Sequence, residues 1–142
     1  MPTFREQLRN NAVAIISLAV ALSSLGYNTW RNERTEHNRN IRTAAFEILT
    51  KLAEFERVVF LAQYDRDPSG GNPRTGWTYV IVISDLSQVV PGTVPTRAAA
   101  LQSVWRDNWE GLGKDDEAAV GRIDEAITKL RDAALATLSS LH

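Results

Sequence analysis

Hydrophobic residues follow two patterns along this chain, a continuous apolar run near the start and helical periodicity after it. No charged side chain occurs between Arg9 and Arg31. As a helix with a rise of about 1.5 Å per residue, residues 10–30 would be roughly 31 Å long, close to the ~30 Å hydrocarbon thickness of a bilayer. The pattern predicts a single transmembrane helix over residues 10–30, preceded by a short tail of residues 1–9.

Aromatic and small residues give this predicted helix two anchored ends and one distinctive face. Phe4, Tyr27 and Trp30 are predicted to lie at the two headgroup regions, where aromatic rings are enriched. One face carries only small or polar side chains, which permit close approach of a second helix and interhelical hydrogen bonds in lipid. This predicted packing face consists of Asn10, Ala14, Ser17, Ala21, Ser24 and Asn28.

A cleaved signal peptide is the competing interpretation, since the apolar run is N-terminal and follows Arg5 and Arg9. The run continues into bulky aromatics and arginines instead of the small residues of a cleavage site, which favours a retained anchor. The distal flank carries more arginines than the N-terminal flank. The positive-inside tendency therefore favours a single-pass protein of the bacterial inner membrane with a cytoplasmic C-terminal domain.

Helical periodicity predicts an all-α protein from the neck to the end of the chain. A charged neck over residues 31–42 leads into residues 43–142, predicted to form a small antiparallel four-helix bundle continuous with the membrane helix. The first bundle helix carries two apolar stripes, and both are predicted to be buried. One stripe contains Ile41, Ala45, Ile48, Leu52, Phe55, Val59 and Ala62, and the second contains Phe46, Leu49, Ala53 and Phe60.

Residues that break helices separate the later elements. Asp65 to Gly76 is rich in Pro, Gly, Asn and Asp and predicts the one long connection. Residues 77–90 fit a buried strand or a helix, and we predict a helix because a lone strand would leave backbone groups unpaired. Pro95 and the acidic residues 115–117 predict the starts of the third and fourth helices. The second helix is predicted to bury Tyr79, Val82, Ile83, Leu86 and Val90, and the third Ala98, Leu101, Trp105, Asn108 and Leu112.

Composition narrows the possible functions. The chain of 142 residues, with 44% hydrophobic and 23% charged residues, is sized for one folded domain besides the anchor. A net charge of -1 provides no bulk attraction to nucleic acid, so no nucleic-acid partner is predicted. The absence of cysteine excludes disulfides, thiolate nucleophiles and cysteine metal ligands.

No pattern of catalytic or metal-binding residues is found in the sequence. The only histidines, His37 and His142, suit neither a di-iron bundle site nor a nucleophile-histidine pair. Asp65, Asp67 and Ser69 match the start of a calcium-binding loop, but the loop lacks the bidentate glutamate because Gly76 stands there. We interpret these carboxylates as turn formers and predict no enzyme activity, metal or cofactor.

Two tryptophans are candidates for a partner interface. Large aromatic residues in a bundle of this size are usually core residues, and the alternative is an anchor that contacts a partner. Because Trp105 occupies the predicted inner face, Trp109 is the stronger interface candidate and Trp77 is the second. We predict a non-enzymatic, single-pass accessory, assembly or scaffolding subunit of a larger membrane complex. The predicted partners are the bilayer and other membrane subunits, or a second copy through the membrane helix. A membrane-tethered sensor bundle and an envelope-spanning adaptor or phage lysis protein remain alternatives.

Overall fold

The computed structural model describes residues 11–114 and 116–141, which form four helices and no strand. The helices are α1 (Ala12–Phe60), α2 (Pro73–Ser87), α3 (Val94–Asn108) and α4 (Glu117–Ser140). A π-helical turn, Leu61–Asp65, ends α1, and a short 3-10 turn, Trp109–Gly111, follows α3. The all-α prediction is confirmed, including the choice of a helix over a strand for residues 77–87.

Side-chain caps explain where two of the helices begin. The Asn72 side chain accepts a hydrogen bond from the Arg74 N–H (2.9 Å), and the Asp116 side chain accepts one from the Ala119 N–H (2.9 Å). Each cap satisfies an N–H group that has no partner inside its helix. With Pro73 as its first residue, α2 starts inside the segment predicted to be a connection. That prediction was wrong at its distal end, because a cap followed by proline starts a helix even among turn-forming residues.

The chain divides into two compact units, one ending at Asn38 and the other beginning at Arg39. The described part of the first unit consists of the beginning of α1, which continues through Gly26 without a break. All its large apolar side chains are exposed, as are most of its polar ones. The exposed apolar residues are Val13, Ile15, Ile16, Leu18, Val20, Leu22 and Leu25.

The second unit is built around a hydrophobic core to which all four helices contribute. Trp105 lies fully buried in this core and meets Phe55 edge to face, with ring centroids 5.0 Å apart. A Cβ at Gly76 would lie 2.4 Å from Trp105 Cζ2, so glycine is needed where α2 passes this ring. The largest other fully buried side chains are Ile48, Leu52, Ile83, Leu101, Ile123, Ile127 and Leu130.

Of the two stripes that were predicted to be buried on α1, only one is buried. Six of the predicted residues, which we call the inner stripe, are buried: Ile41, Ala45, Ile48, Leu52, Phe55 and Val59. In the second stripe Phe46, Ala53 and Phe60 are exposed and Leu49 is half-buried, so the prediction that this stripe is buried was wrong. Ala44 and Val58 widen the buried face instead, because neighbouring helices cover α1 from one side only.

The prediction of buried residues was less accurate for α2 than for α3. In α2 the buried positions are Gly76, Val80, Ile83 and Ser87, whereas Tyr79, Val82 and Leu86 are half-buried. The face is rotated towards Val80 because α2 packs its glycine, and not an aromatic side chain, against Trp105. In α3 the predicted residues Ala98, Leu101, Trp105 and Asn108 are all buried.

Candidate functional site

Residues 12–30 of α1 form the first candidate functional surface. By length and composition, α1 is the one helix among the described residues that is long and apolar enough to cross a membrane. The predicted packing-face residues Ala14, Ser17, Ala21, Ser24 and Asn28 are exposed on this helix. The remaining member of that face, Asn10, and the predicted anchor Phe4 lie outside the described residues.

Polar side chains on this surface have unused hydrogen-bonding capacity. Ser17, Ser24 and Asn28 form no side-chain hydrogen bond with the part of the chain that the structure describes. The Thr35 hydroxyl further along α1 behaves differently and donates to the Arg31 carbonyl oxygen (2.9 Å). The three polar side chains on the apolar segment are therefore available to a group outside the chain.

The predicted aromatic anchors at the distal end of this segment lie together. The rings of Tyr27 and Trp30 have centroids 6.1 Å apart, and both side chains are more than half exposed. The Arg34 guanidinium lies over the Trp30 ring, 5.7 Å from its centroid. This order of apolar, aromatic and cationic side chains resembles the gradient from hydrocarbon to headgroup region in a bilayer.

A cleft at the end of α1 forms the second candidate surface. Its volume is about 460 Å³, and it lies where the connection after α1 meets the connection between α3 and α4. Trp109, Leu112 and two prolines supply apolar walls, and two cations and two carboxylates supply charge. The charged residues are Arg66, Asp67, Glu110 and Lys114.

Close backbone contacts with the π-helical turn shape this cleft. The Gly113 N–H donates to Gln63 Oε1 (2.8 Å), and Gly113 adopts a left-handed conformation with φ of 72°. A Cβ at Gly113 would lie 2.9 Å from the Ala62 carbonyl oxygen, and one at Gly71 would lie 2.5 Å from Ala62 Cα. Both glycines therefore allow the two connections to approach α1, and π-helical turns frequently occur at functional sites.

Only one of the two predicted interface tryptophans lines the cleft. Both tryptophans are half-buried and pack against the hydrophobic core, but Trp109 also lines the cleft, whereas Trp77 is not part of the cleft wall. Sequence reasoning selected Trp109 but missed the cleft around it. The only indication of the cleft in the sequence was the presence of Gly71 and Gly113. These glycines are distant in the chain, and only the tertiary structure shows that both contact Ala62.

The segment that resembles a calcium loop is organised as a turn. Asp67 Oδ1 accepts a hydrogen bond from the Ser69 N–H (2.8 Å), as the interpretation of this carboxylate as a turn former predicts. No group of three or more His, Cys, Asp or Glu residues is placed to hold a metal ion within residues 11–114 and 116–141.

Shifted pKa values occur at three residues on the surfaces of α1 and α4. A hydrogen bond with Glu54 raises the pKa of Lys51, and a hydrogen bond with Lys129 lowers the pKa of Glu125. Burial, with a smaller contribution from the negative charge of Glu56, raises the pKa of Asp124. These shifts reflect local ion pairs and partial burial.

Comparison of the chain with protein-family models, curated proteins and solved structures finds no match. The candidate site is therefore defined by its geometry, which consists of an exposed apolar helix and a cleft lined by Trp109. Both features can bind another surface.

Proposed function

We propose that this protein is a non-enzymatic, single-pass membrane protein whose membrane helix comprises residues 10–30. The observation that carries the proposal is the exposure of every large apolar side chain from Val13 to Leu25. A contiguous apolar surface of this kind is unfavourable in water and favourable in hydrocarbon. The cluster of Tyr27, Trp30 and Arg34 supports a membrane-water boundary at the end of the segment.

The further proposal is that the protein is an accessory, assembly or scaffolding subunit of a larger membrane complex. Ser17, Ser24 and Asn28 lie on the small-residue face and have no intrachain hydrogen-bond partner among the described residues. A polar side chain in hydrocarbon gains by bonding to a neighbouring helix, and small residues let the two backbones approach. The face therefore favours a helix of another membrane subunit as partner.

The second unit is proposed to be an antiparallel four-helix bundle. Two contacts of α1, one with α4 and one with Leu141 directly after it, support this arrangement, since the partner's residue number falls as that in α1 rises. Arg42 Nη2 donates to the Leu141 carbonyl oxygen (3.2 Å), and Arg131 Nη2 lies 2.6 Å from Glu56 Oε2. Because the chain has no cysteine, Glu56→Cys with Arg131→Cys should be joined by a bifunctional thiol crosslinker of about 10 Å, the usual spacing of packed helices. Glu56→Cys with Leu141→Cys, about 15 Å further along the helix direction, should not be joined.

Membrane fractionation tests the anchoring proposal. Replacing Leu18 and Leu22 with arginine should move the chain from the membrane to the soluble fraction, because arginine costs about 2.5–3.5 kcal/mol at the centre of a membrane helix. The matched control replaces Phe46 and Phe60, exposed apolar residues further along the same helix, with arginine and should remain in membranes. A wild-type chain found in the soluble fraction, or a native chain starting after about residue 24, would contradict a retained anchor.

Orientation and membrane class are proposed from charge alone. The arginines after Trp30 favour a cytoplasmic C-terminal domain at the bacterial inner membrane. Fusing a reporter after His142 tests this orientation. Activity of a reporter that works only in the cytoplasm is expected, and activity of one that works only in the periplasm would reverse the assignment.

The cleft favours a second candidate function, a membrane-tethered sensor that signals through a partner. Its volume of about 460 Å³ is in the range of small-molecule sites, and Trp109 provides both an apolar wall and an intrinsic fluorophore. Trp109→Ala should abolish ligand-dependent signalling under this function. Under the subunit proposal the same variant should release a copurifying partner while leaving the chain in the membrane fraction.

A further inference from the structure

The second unit carries an unpartnered face on α1 and its terminal π-helical turn. We call this face the outer stripe. Successive members are three or four residues apart, so they share one side of the helix. Phe46, Phe60 and Tyr64 are 56%, 53% and 65% exposed, and the other members are exposed too. The outer stripe consists of Arg39, Thr43, Phe46, Thr50, Ala53, Arg57, Phe60 and Tyr64.

The spacing of this stripe suits a second helix. Phe46, Ala53 and Phe60 repeat at seven-residue intervals, the repeat with which two helices keep one seam in contact. Ala53 at the centre leaves room for close approach. At the distal end the rings of Phe60 and Tyr64 lie together, with centroids 5.0 Å apart. The stripe therefore offers a second helix one small or aromatic residue per heptad, with Thr50 and Arg57 at the positions between them.

Covering this stripe would leave few polar groups unpaired. The Thr43 hydroxyl donates to the Arg39 carbonyl oxygen (2.9 Å), and the Thr50 hydroxyl donates to the Phe46 carbonyl oxygen (3.1 Å). Because both hydroxyl protons are already used within α1, a partner can displace water from these residues without leaving a buried donor unpaired. Burial of polar groups therefore costs little here, apart from the two arginines and the Tyr64 hydroxyl.

Charge identifies the kind of partner. Arg39 and Arg57 form no ion pair with another described residue. Two carboxylates on one side of the stripe are already paired, since Lys51 lies 3.6 Å from Glu47 and 2.9 Å from Glu54. Glu56 on the other side is paired with Arg131. The outer stripe is thus an apolar seam with unpaired positive charge at two levels, about 27 Å apart along the helix.

We propose that the outer stripe binds an acidic amphipathic helix of a partner protein, with carboxylates opposite Arg57 and Arg39. A second copy of this chain fits less well, because its outer stripe contains no acidic residue and the glutamates beside Arg57, Glu54 and Glu56, already pair with Lys51 and Arg131. The inference rests on the proposed role as a subunit held by partners and names the chemistry of one contact. A cavity of about 300 Å³ next to Arg57 offers space for a partner side chain at this contact.

A peptide titration with the full chain in detergent tests this inference. The probe is a labelled helical peptide of three heptads with leucine at both seam positions and glutamate beside them, and the control peptide has lysine in place of glutamate. At low ionic strength the acidic peptide should bind at least about 10-fold more tightly than the basic one, because like charges across a seam oppose association. Equal binding of the two peptides would overturn the inference.

Two variants test whether the peptide binds at the outer stripe. Arg57→Glu should weaken binding of the acidic peptide and allow the basic peptide to bind, whereas the same charge change at the exposed Arg106 of α3 should do neither. Phe46→Glu should abolish binding of both peptides without lowering thermal stability, since Phe46 is exposed. Acidic-peptide binding that survives Arg57→Glu and Phe46→Glu would overturn the location.

Two further measurements distinguish other occupants of the face. A dimer in detergent that Phe46→Glu converts to a monomer would replace the proposed partner with a second copy. The second measurement uses the Leu18→Arg/Leu22→Arg variant and anionic lipid vesicles. If this variant binds the vesicles and the additional change Phe46→Glu abolishes that binding, a lipid surface would replace the proposed partner. Membrane fractionation reports on the anchor independently, so failure of the peptide titration leaves the proposed anchoring standing.

Discussion

The inner and outer stripes of α1 look similar in the sequence and differ in the structure. Phe55 of the inner stripe is fully buried against Trp105, whereas Phe60, five residues later, keeps 53% of its surface exposed. Both phenylalanines fall on apolar helical spacing. The difference arises because helices α2, α3 and α4 cover one side of α1 and leave the other open. An apolar stripe therefore indicates a surface that gains from burial without identifying what buries it.

The matched phenylalanines provide the largest expected contrast. Phe55→Ala should lower the free energy of unfolding of the second unit by about 3–5 kcal/mol, because it removes buried ring surface and leaves a cavity beside Trp105. Phe60→Ala should change it by no more than about 0.5 kcal/mol. Denaturant titration in detergent, followed by tryptophan fluorescence, measures both. Similar losses for the two variants would show that the stripes do not differ as described.

Gly76 tests how tightly the buried side is filled. Gly76→Ala places a methyl group 2.4 Å from Trp105 Cζ2 and should cost about 1–3 kcal/mol through overpacking. Gly121 of α4 is the matched control, since a Cβ there would meet nothing within 4 Å. Gly121→Ala should stabilise the unit by up to about 1 kcal/mol through helix propensity. If Gly76→Ala leaves the free energy of unfolding unchanged, the core can make room for a methyl group beside Trp105.

Asn108 tests a polar group at the edge of the same core. Its Nδ2 donates to the Val104 carbonyl oxygen (2.7 Å), and its Oδ1 accepts from Arg122 Nε (2.6 Å). Asn108→Ala should cost about 1–2 kcal/mol, because it removes these bonds from a buried position. The exposed neighbour Asp107 is the control, and Asp107→Ala should leave the thermal midpoint nearly unchanged. Equal effects would place the stabilising contact elsewhere.

The smallest expected effects concern two carboxylates of α4. A raised folded-state pKa, as at Asp124, opposes folding above that pKa, and the penalty disappears as pH falls below the ordinary value of 3.8. Asp124→Asn should therefore raise the thermal midpoint slightly at neutral pH and not at low pH. The pKa of Glu125 is lowered by Lys129, so Glu125→Gln should have the opposite sign above its ordinary value of 4.5 and no effect well below it. Midpoints measured across pH check both, and a pH-independent effect of either variant would contradict the assigned cause.

Local sequence signals predicted most of the fold. Asp116 caps α4 where the acidic run indicated a helix start. Four of the five residues predicted on the inner face of α3 are buried, and the fifth, Leu112, lies beyond the end of α3 and is half-buried. These features depend on hydrogen bonds and periodicity within a few residues of the chain. The exception was the start of α2 at Pro73, where turn composition concealed a capped helix start.

The candidate sites were predictable only in part. The apolar run of residues 10–30 is visible in the sequence because membrane affinity depends on the length and composition of one segment. Trp109 was selected as an interface candidate because Trp105 occupies the inner face, but its cleft depends on Gly71 and Gly113 both reaching Ala62. Contacts between residues so distant in the chain leave no periodic signal.

The sequence by itself determined the all-α class, the apolar first segment and the residues able to form buried faces. Only the tertiary structure decided which apolar face of α1 is covered, that Gly76 packs on Trp105, and that two connections form a cleft with Trp109. The physical reason is that helix formation and capping are local, whereas burial depends on where other helices pack. The open outer stripe is the feature of the second unit that this packing leaves for a partner.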